Sequence, residues 1–135
     1  MKEQFAESID LDYLKADNHK DIHLSFNNYL DKIKSFEYYP KGWDSFDTEP
    51  PSKIAIKNAI FALKLTRKHF ILPERVNASA DEGIIFEFLK GDKYYLIEFY
   101  NDGDIVYLKR ENTKSEAFDI TNAELEGIIK EIKNE

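Results

Sequence analysis

Two glycine-containing turns constrain the fold of this chain more than any other feature, because each fixes how the strands on either side pair. Gly91-Asp92 separates two segments of alternating apolar residues, and such an arrangement predicts a two-residue hairpin loop. This loop sets the register of the whole hairpin. The pairs that it predicts are Lys90 with Lys93, Phe88 with Tyr95, Phe86 with Ile97, and Ile84 with Phe99.

Asp102-Gly103 predicts a second two-residue loop, of type I′, followed by a third strand. The pairs that it predicts are Asn101 with Asp104, Phe99 with Val106, and Ile97 with Leu108. Both turns place apolar side chains on the same face, and a slip of one residue would move a strand's apolar set to the other face. The predicted core face carries Ile84, Phe86, Phe88, Tyr95, Ile97, Phe99, Val106 and Leu108.

The remaining segments complete an α+β fold around this antiparallel meander. Ser52 offers an N-cap for a central helix, whose apolar arc of roughly 220° predicts cover on two sides. Thr121 and Glu124 form a capping box that opens a last helix. Flanking strands are expected at 75–79 and, after a longer loop, at 115–119. The predicted elements are a four- to five-stranded meander over about 75–119, the central helix over about 52–70, an N-terminal helix over about 25–36 and a C-terminal helix over about 122–133.

Composition indicates a single domain over 1–135, with residues 1–20 as a flexible or docking arm. The absence of cysteine removes disulfides and thiolate chemistry. No apolar run is long enough to span a membrane, which predicts a cytoplasmic protein. The formal net charge of −7 argues against binding to nucleic acid or anionic membranes, because like charges repel. The same charge suits a basic protein partner, although it also serves solubility alone.

The opposite face of the predicted meander is too apolar for a sheet surface that meets only water. It carries Ile85, Glu87, Leu89, Tyr94, Leu96, Glu98, Tyr100, Ile105, Tyr107 and Lys109. Two kinds of cover remain open: the N-terminal segment or a terminal helix of the same chain, or a protein partner or second copy. Tyrosine-rich surfaces with few charges are typical of protein interfaces. The candidate partner-binding residues are Tyr94, Leu96, Tyr100 and Tyr107.

The sequence lacks the motifs that usually mark an enzyme, namely a Gly-x-Ser-x-Gly elbow, a phosphate-binding glycine loop and a His-Glu-x-x-His helix. We therefore assign no catalytic, cofactor-binding or metal-binding residue. Glu87 and Glu98 are predicted to lie diagonally on the second face. Paired carboxylates can serve acid/base chemistry, but the same spacing occurs in many sheets that have no catalytic role. His19 and His23 have the helical spacing of metal ligands, but a third ligand is missing.

A loop that starts with Gly42-Trp43-Asp44 and ends with Pro50-Pro51-Ser52 precedes the central helix and the meander. In these features the chain resembles an uncharacterised family of small bacterial proteins with a Gly-Trp-Asp-Gly-Tyr-Gly-like motif, over roughly residues 42–100. Ser45, Phe46 and Asp47 stand where the family has Gly, Tyr and Gly, so its tight turn is altered in this chain. The resemblance implies a fold and no established activity.

These observations favour a small, acidic, noncatalytic protein-interaction module, antitoxin-like or immunity-like, that masks a basic partner. The alternative is a ligand-binding or hydrolase-like domain with a site at Trp43, Asp44 and Asp47. That loop also has an ordinary structural interpretation, in which Trp43 packs on the core and an aspartate accepts backbone N–H bonds. A third option is nucleic-acid binding through a helical strip that normally serves only to solvate the helix, formed by Lys53, Lys57, Lys64 and Lys68.

Overall fold

The computed structural model describes residues 22–135 and shows an α+β fold with one antiparallel five-stranded sheet. Each strand pairs with the next in the chain, so the sheet is a meander, as the turns predicted. The predicted arm at 1–20 lies outside the described residues. The strands are β1 (Arg75–Ser79), β2 (Gly83–Lys90), β3 (Lys93–Tyr100), β4 (Ile105–Glu111) and β5 (Lys114–Ile120). The helices are α1 (22–35, continued by a 3-10 turn at Phe36–Tyr38), α2 (Lys53–Lys68) and α3 (Leu125–Asn134, after a 3-10 turn at Asn122–Glu124).

The first hairpin confirms the register predicted from Gly91-Asp92. Lys90 pairs with Lys93, and the apolar pairs follow as expected along β2 and β3. Gly91 has φ +64°, a backbone conformation that favours glycine at the first position of a two-residue hairpin loop. The residues of the turn therefore account for the register of this hairpin.

The second hairpin has a different loop, and the predicted register of β4 is wrong. The backbone N–H of Gly103 donates to Tyr100 O (3.0 Å), and Tyr100 N–H donates to Asp104 O (2.9 Å). Asn101, Asp102 and Gly103 thus form a three-residue loop that ends in a left-handed glycine, with φ +98°. This is a type I turn followed by a residue in the left-handed region, and not the type I′ turn expected.

The extra loop residue inverts β4, because side chains alternate between the two faces of a strand. Ile97 pairs with Tyr107 and not with Leu108. Tyr107 is 2% exposed and contributes to the core, whereas Leu108 is half-buried on the opposite side. The other residues of β4 change faces for the same reason. Ile105 and Lys109 lie on the core side with Tyr107, and Val106 lies on the opposite side with Leu108.

Asn101 ties this loop to the start of α2. Its Oδ1 accepts from the backbone N–H of Ser52 (2.8 Å), and its Nδ2 donates to Pro50 O (3.0 Å). Its backbone carbonyl accepts from the Ser52 hydroxyl (2.9 Å), whose oxygen also caps α2 by accepting from Ala55 N–H (3.2 Å). These bonds satisfy backbone groups that would otherwise be left without partners at the helix start.

The outermost strands complete the sheet. β1 pairs with β2 as predicted, from Arg75 opposite Glu87 to Ser79 opposite Gly83. β5 follows a short two-residue turn at Asn112-Thr113, in place of the longer loop expected, because Asn112 adopts a positive φ of +57°. α1 lies along the free edge of β1, where Tyr29 donates to Pro73 O (2.8 Å).

α2 and α3 pack on one side of the sheet, which we call the inner face, and the other side is the outer face. The inner-face residues Ile84, Phe86, Ile97 and Phe99 are fully buried. They belong to the hydrophobic core together with Ala55, Ala59, Ala62, Leu63, Leu125 and Ile132 of the helices. α2 is flanked on two sides, as predicted, but the ends of its apolar arc reach solvent, since Ile54 and Phe61 are 47% and 46% exposed.

A cluster of charged side chains links α2 to α3 and predicts acid sensitivity. Lys68 Nζ and His69 Nε2 lie 2.7 Å and 2.9 Å from Glu126 Oε2. These hydrogen bonds, first from Lys68 and then from His69, lower the pKa of Glu126 from 4.5 to about 2. Because the folded pKa lies below the unfolded one, the contribution is complete above pH 4.5 and is lost as the pH falls through about 2.

We expect the Glu126→Gln variant to be less stable than the wild type at neutral pH, and this difference to shrink steadily as the pH falls from 4.5 towards 2. Chemical unfolding at a series of pH values measures the difference directly. A constant difference between the two proteins over this range would show that the Glu126 carboxylate does not titrate in this way.

Candidate functional site

The outer face has an apolar centre formed by three adjacent strands. Ile85 comes from β2, Leu96 from β3, and Val106 and Leu108 from β4. All four side chains are half-buried and stand apart from the hydrophobic core. In the part of the chain that the structure describes, α2 and α3 lie on the opposite side of the sheet and α1 lies at its β1 edge. Within residues 22–135, therefore, no helix covers this apolar centre.

One end of the outer face is organised around Tyr94. Its hydroxyl donates to Glu87 Oε2 (3.1 Å), and Arg75 Nη2 lies 3.3 Å from the same oxygen. The Arg110 guanidinium lies 5.3 Å from the centroid of the Tyr94 ring, within the range of a cation–π contact. Burial, followed by the hydrogen bond to Glu87, raises the pKa of Tyr94, so the phenol stays protonated and remains a donor.

The other end is organised around Tyr100. Its hydroxyl donates to Glu98 Oε1 (3.1 Å), and the Ser79 hydroxyl donates to Glu98 Oε2 (2.7 Å). Glu98 is only 8% exposed, and both of its oxygens have a donor. Burial and then the Glu98 carboxylate raise the pKa of Tyr100 to about 12, with smaller effects from Asp81 and Asp102. This end of the sheet is therefore rich in carboxylates.

The two glutamates bind different side chains of the outer face. Glu87 pairs across the strands with Leu96, and Glu98 pairs with Ile85, so they are diagonal as predicted. Each carboxylate accepts from its own tyrosine. The geometry assigns them the role of holding Tyr94 and Tyr100 in place.

Tyr107 was predicted to bind a partner on the outer face, and this placement is wrong. Its side chain lies on the inner face, 15° from parallel to the Tyr95 ring at a centroid distance of 6.5 Å. The hydroxyl is buried and has no hydrogen-bond partner among the described residues. Burial, and then the Glu131 carboxylate, raise the pKa of Tyr107 well above its usual range. Of the four candidate residues, Tyr94, Leu96 and Tyr100 share the outer face.

Sequence reasoning also missed the side chains that replace Tyr107 at this site. Val106 and Leu108 belong to the apolar centre, although both were predicted to lie in the core. The asparagine that precedes Asp102-Gly103 was the available signal, since it allows a three-residue loop.

The Trp43 loop is held together by its own contacts. Asp44 Oδ1 accepts from Phe46 N–H (3.1 Å), and Asp44 Oδ2 accepts from the Thr48 hydroxyl (2.7 Å). The Trp43 ring packs 5.6 Å from that of Tyr39, and its Nε1 is buried without a partner among the described residues. Asp47 has a side chain that is 90% exposed and lies 3.6 Å from Lys41. Asp44 therefore organises the loop, and Asp47 projects away from it.

The lysine strip of α2 is divided between two roles. Lys53, Lys57 and Lys64 line a groove of about 440 Å³ with the apolar side chains of Ile56, Ile60 and Phe61. Lys68 instead pairs with Glu126 on α3. His19 lies outside the described residues, and His23 is exposed on α1. No group of three potential ligands suited to a metal ion occurs within 22–135.

Comparisons with protein-family models, curated proteins and solved structures found no match for this chain. Across the residues that the structure describes, no helix combines the length and apolarity needed to cross a bilayer.

Proposed function

We propose that this protein is an acidic, noncatalytic interaction module that binds a protein partner through the outer face of its sheet. The observation that carries the proposal is the apolar centre, which lies between two tyrosines and faces away from α2 and α3. Tyrosine supplies a large contact area with few rotatable bonds and is enriched at interfaces.

The two tyrosines are held in position before any partner arrives. Tyr94 is fixed by Glu87 and Arg110, and Tyr100 is fixed by Glu98. A side chain that is already ordered loses less conformational entropy on binding, which improves affinity for a given contact area. The strands add further rigidity, because β3, which carries both tyrosines, is paired with β2 on one side and β4 on the other.

The charge of the site indicates the chemistry of the partner. Asp81, Asp102 and Glu98 surround the Tyr100 end closely enough to affect its pKa. Arg75 and Arg110 occupy the Tyr94 end, where Glu87 offsets part of their charge. A fitting partner therefore has an apolar patch with basic side chains along one side.

The proposal is tested with the double variant Leu96→Lys/Leu108→Lys, which puts two charges into the apolar centre. The control is Ile54→Lys/Phe61→Lys, which makes the same chemical change at exposed positions of α2. Proteins captured by the wild type from native lysate are identified, purified and titrated against all three proteins. We expect the outer-face variant to bind at least about 30-fold more weakly while the control binds as the wild type does, since charge in a desolvated interface centre is costly.

Thermal unfolding separates a binding surface from an internal one. Both double variants are expected to unfold within a few degrees of the wild type, because neither site belongs to the core. A collapse of stability in the outer-face variant alone, or unchanged binding of every purified partner, would contradict the proposed function.

A further inference from the structure

Charge on the outer face is distributed unevenly along the strands. Arg110 lies on the outer face near one end of β4, opposite Tyr94, and Asp104 directly precedes β4 at its other end, opposite Tyr100, whose N–H donates to Asp104 O (2.9 Å). The alternation of side chains places both residues on the outer face, about 20 Å apart at about 3.3 Å per residue. Arg75 lies in the same half of the sheet as Arg110, level with Leu108, and Asp119 lies in the other half, level with Val106. We call these the arginine end and the aspartate end. All four side chains are exposed.

This pattern makes the face complementary to itself when it is turned around. A two-fold axis in the plane between two facing sheets, perpendicular to the strands, reverses the strand direction of one copy relative to the other. Each arginine end then meets the aspartate end of the other copy, so the two favourable contacts arise together. An axis parallel to the strands would instead place like charges opposite each other.

The apolar centre suits the same arrangement. Val106 and Leu108 lie midway between Asp104 and Arg110 on β4, so they come close to the axis when the two faces pack. Glu98, which would be a poor neighbour for an apolar surface, is already buried and accepts two hydrogen bonds within its own copy. The centre can therefore be desolvated without leaving a new carboxylate unpaired.

From these observations we infer that the partner of the outer face is a second copy of this chain, packed face to face with strand directions reversed. This inference rests on the proposed function and names its partner. The face of five strands covers about 550 Å² per copy at the usual spacings, which gives about 1,100 Å² buried in the dimer. That area lies near the lower limit for stable complexes, so the dimer forms in the micromolar range and dissociates on dilution.

Charge reversal tests the predicted orientation. In the proposed dimer, residue 110 of each copy faces residue 104 of the other copy. Either single variant, Arg110→Glu or Asp104→Arg, therefore puts like charges opposite each other at both of these contacts. We expect each single variant to dimerise at least about 10-fold more weakly than the wild type in sedimentation equilibrium at low salt. An equimolar mixture of the two variants restores opposite charges at both contacts and is expected to dimerise within about 3-fold of the wild type.

Two further proteins complete the experiment. Lys64→Glu reverses a charge on α2, away from the sheet, and is expected to dimerise as the wild type does. Leu96→Lys/Leu108→Lys is expected to be a monomer with an unchanged circular dichroism spectrum. These controls separate a local effect of the outer face from a change in net charge.

Three results would overturn the inference. These are a wild type that stays monomeric at several hundred micromolar, a dimer that survives in Leu96→Lys/Leu108→Lys, and a mixture of the charge-reversed variants that fails to associate. The first two leave the proposed function to be decided separately by the titrations of purified partners. A monomer that still loses a partner protein through the Leu96→Lys/Leu108→Lys change keeps the binding face and excludes the second copy.

Discussion

Replacing Gly83 with alanine is expected to disrupt the pairing of β2 with β3 and to destabilise the fold by about 3 kcal/mol or more. A Cβ at this position would lie 2.2 Å from the backbone carbonyl oxygen of Phe99. The obstacle is backbone in the neighbouring strand, so no side-chain rotation can relieve it. Only a displacement of the strands would make room, and that would weaken the hydrogen bonds of the central hairpin. Urea unfolding monitored by circular dichroism measures the loss.

Gly127→Ala is the matched control, since a Cβ there has no heavy atom within 4 Å. Gly127 lies inside α3, where alanine is favoured over glycine by about 1 kcal/mol. We therefore expect this variant to be slightly more stable than the wild type. If Gly83→Ala unfolded at the same urea concentration as the wild type, the close approach of the two strands would be wrong.

Phe86→Ala is expected to cost about 3–5 kcal/mol, because it removes a large, fully buried ring from the centre of the inner face. The Phe86 ring lies 4.9 Å from the Phe99 ring in an edge-to-face contact, and both belong to the core under α2. Truncation leaves a cavity that the surrounding sheet cannot close. The free energy of unfolding in urea reports this loss.

Phe118→Ala makes the same change on the edge strand β5, where the ring is 42% exposed. Its cost is expected to stay below about 1.5 kcal/mol, because a large part of the ring remains in water in the folded protein and its removal leaves no enclosed cavity. Equal costs at the two positions would contradict the placement of the core between the inner face and the helices.

The first hairpin and the helix caps could be predicted because their determinants are local. Gly91-Asp92 sets its register within a few residues, and Ser52 and the Thr121 capping box act within one helical turn. The second hairpin could not be predicted in the same way. Its three-residue loop is tied to the start of α2 by Asn101, whose hydrogen bonds reach residues about fifty positions away in sequence.

The candidate site depends on that loop, and so only part of it could be predicted. Tyr94, Leu96 and Tyr100 lie on β3, whose register follows from the first turn. Val106 and Leu108 depend on the second turn and were assigned to the wrong face. The bond between Ser79 and Glu98 joins strands that are not adjacent, and no local pattern in the sequence reports such a contact.

The central claim is that Leu108 lies on an open outer face while its neighbour Tyr107 is buried. The chain has no cysteine, so single cysteines introduced at these positions can be followed without interference. The measurement compares the rate of thiol labelling in the folded protein with the rate in the same variant when unfolded, at low micromolar protein. The folded Leu108→Cys variant is expected to react within about 10-fold of its unfolded rate. The folded Tyr107→Cys variant is expected to react at least about 100-fold more slowly than its unfolded form. Rapid labelling of Tyr107→Cys with protection of Leu108→Cys would contradict the register of β4 and the binding face built on it.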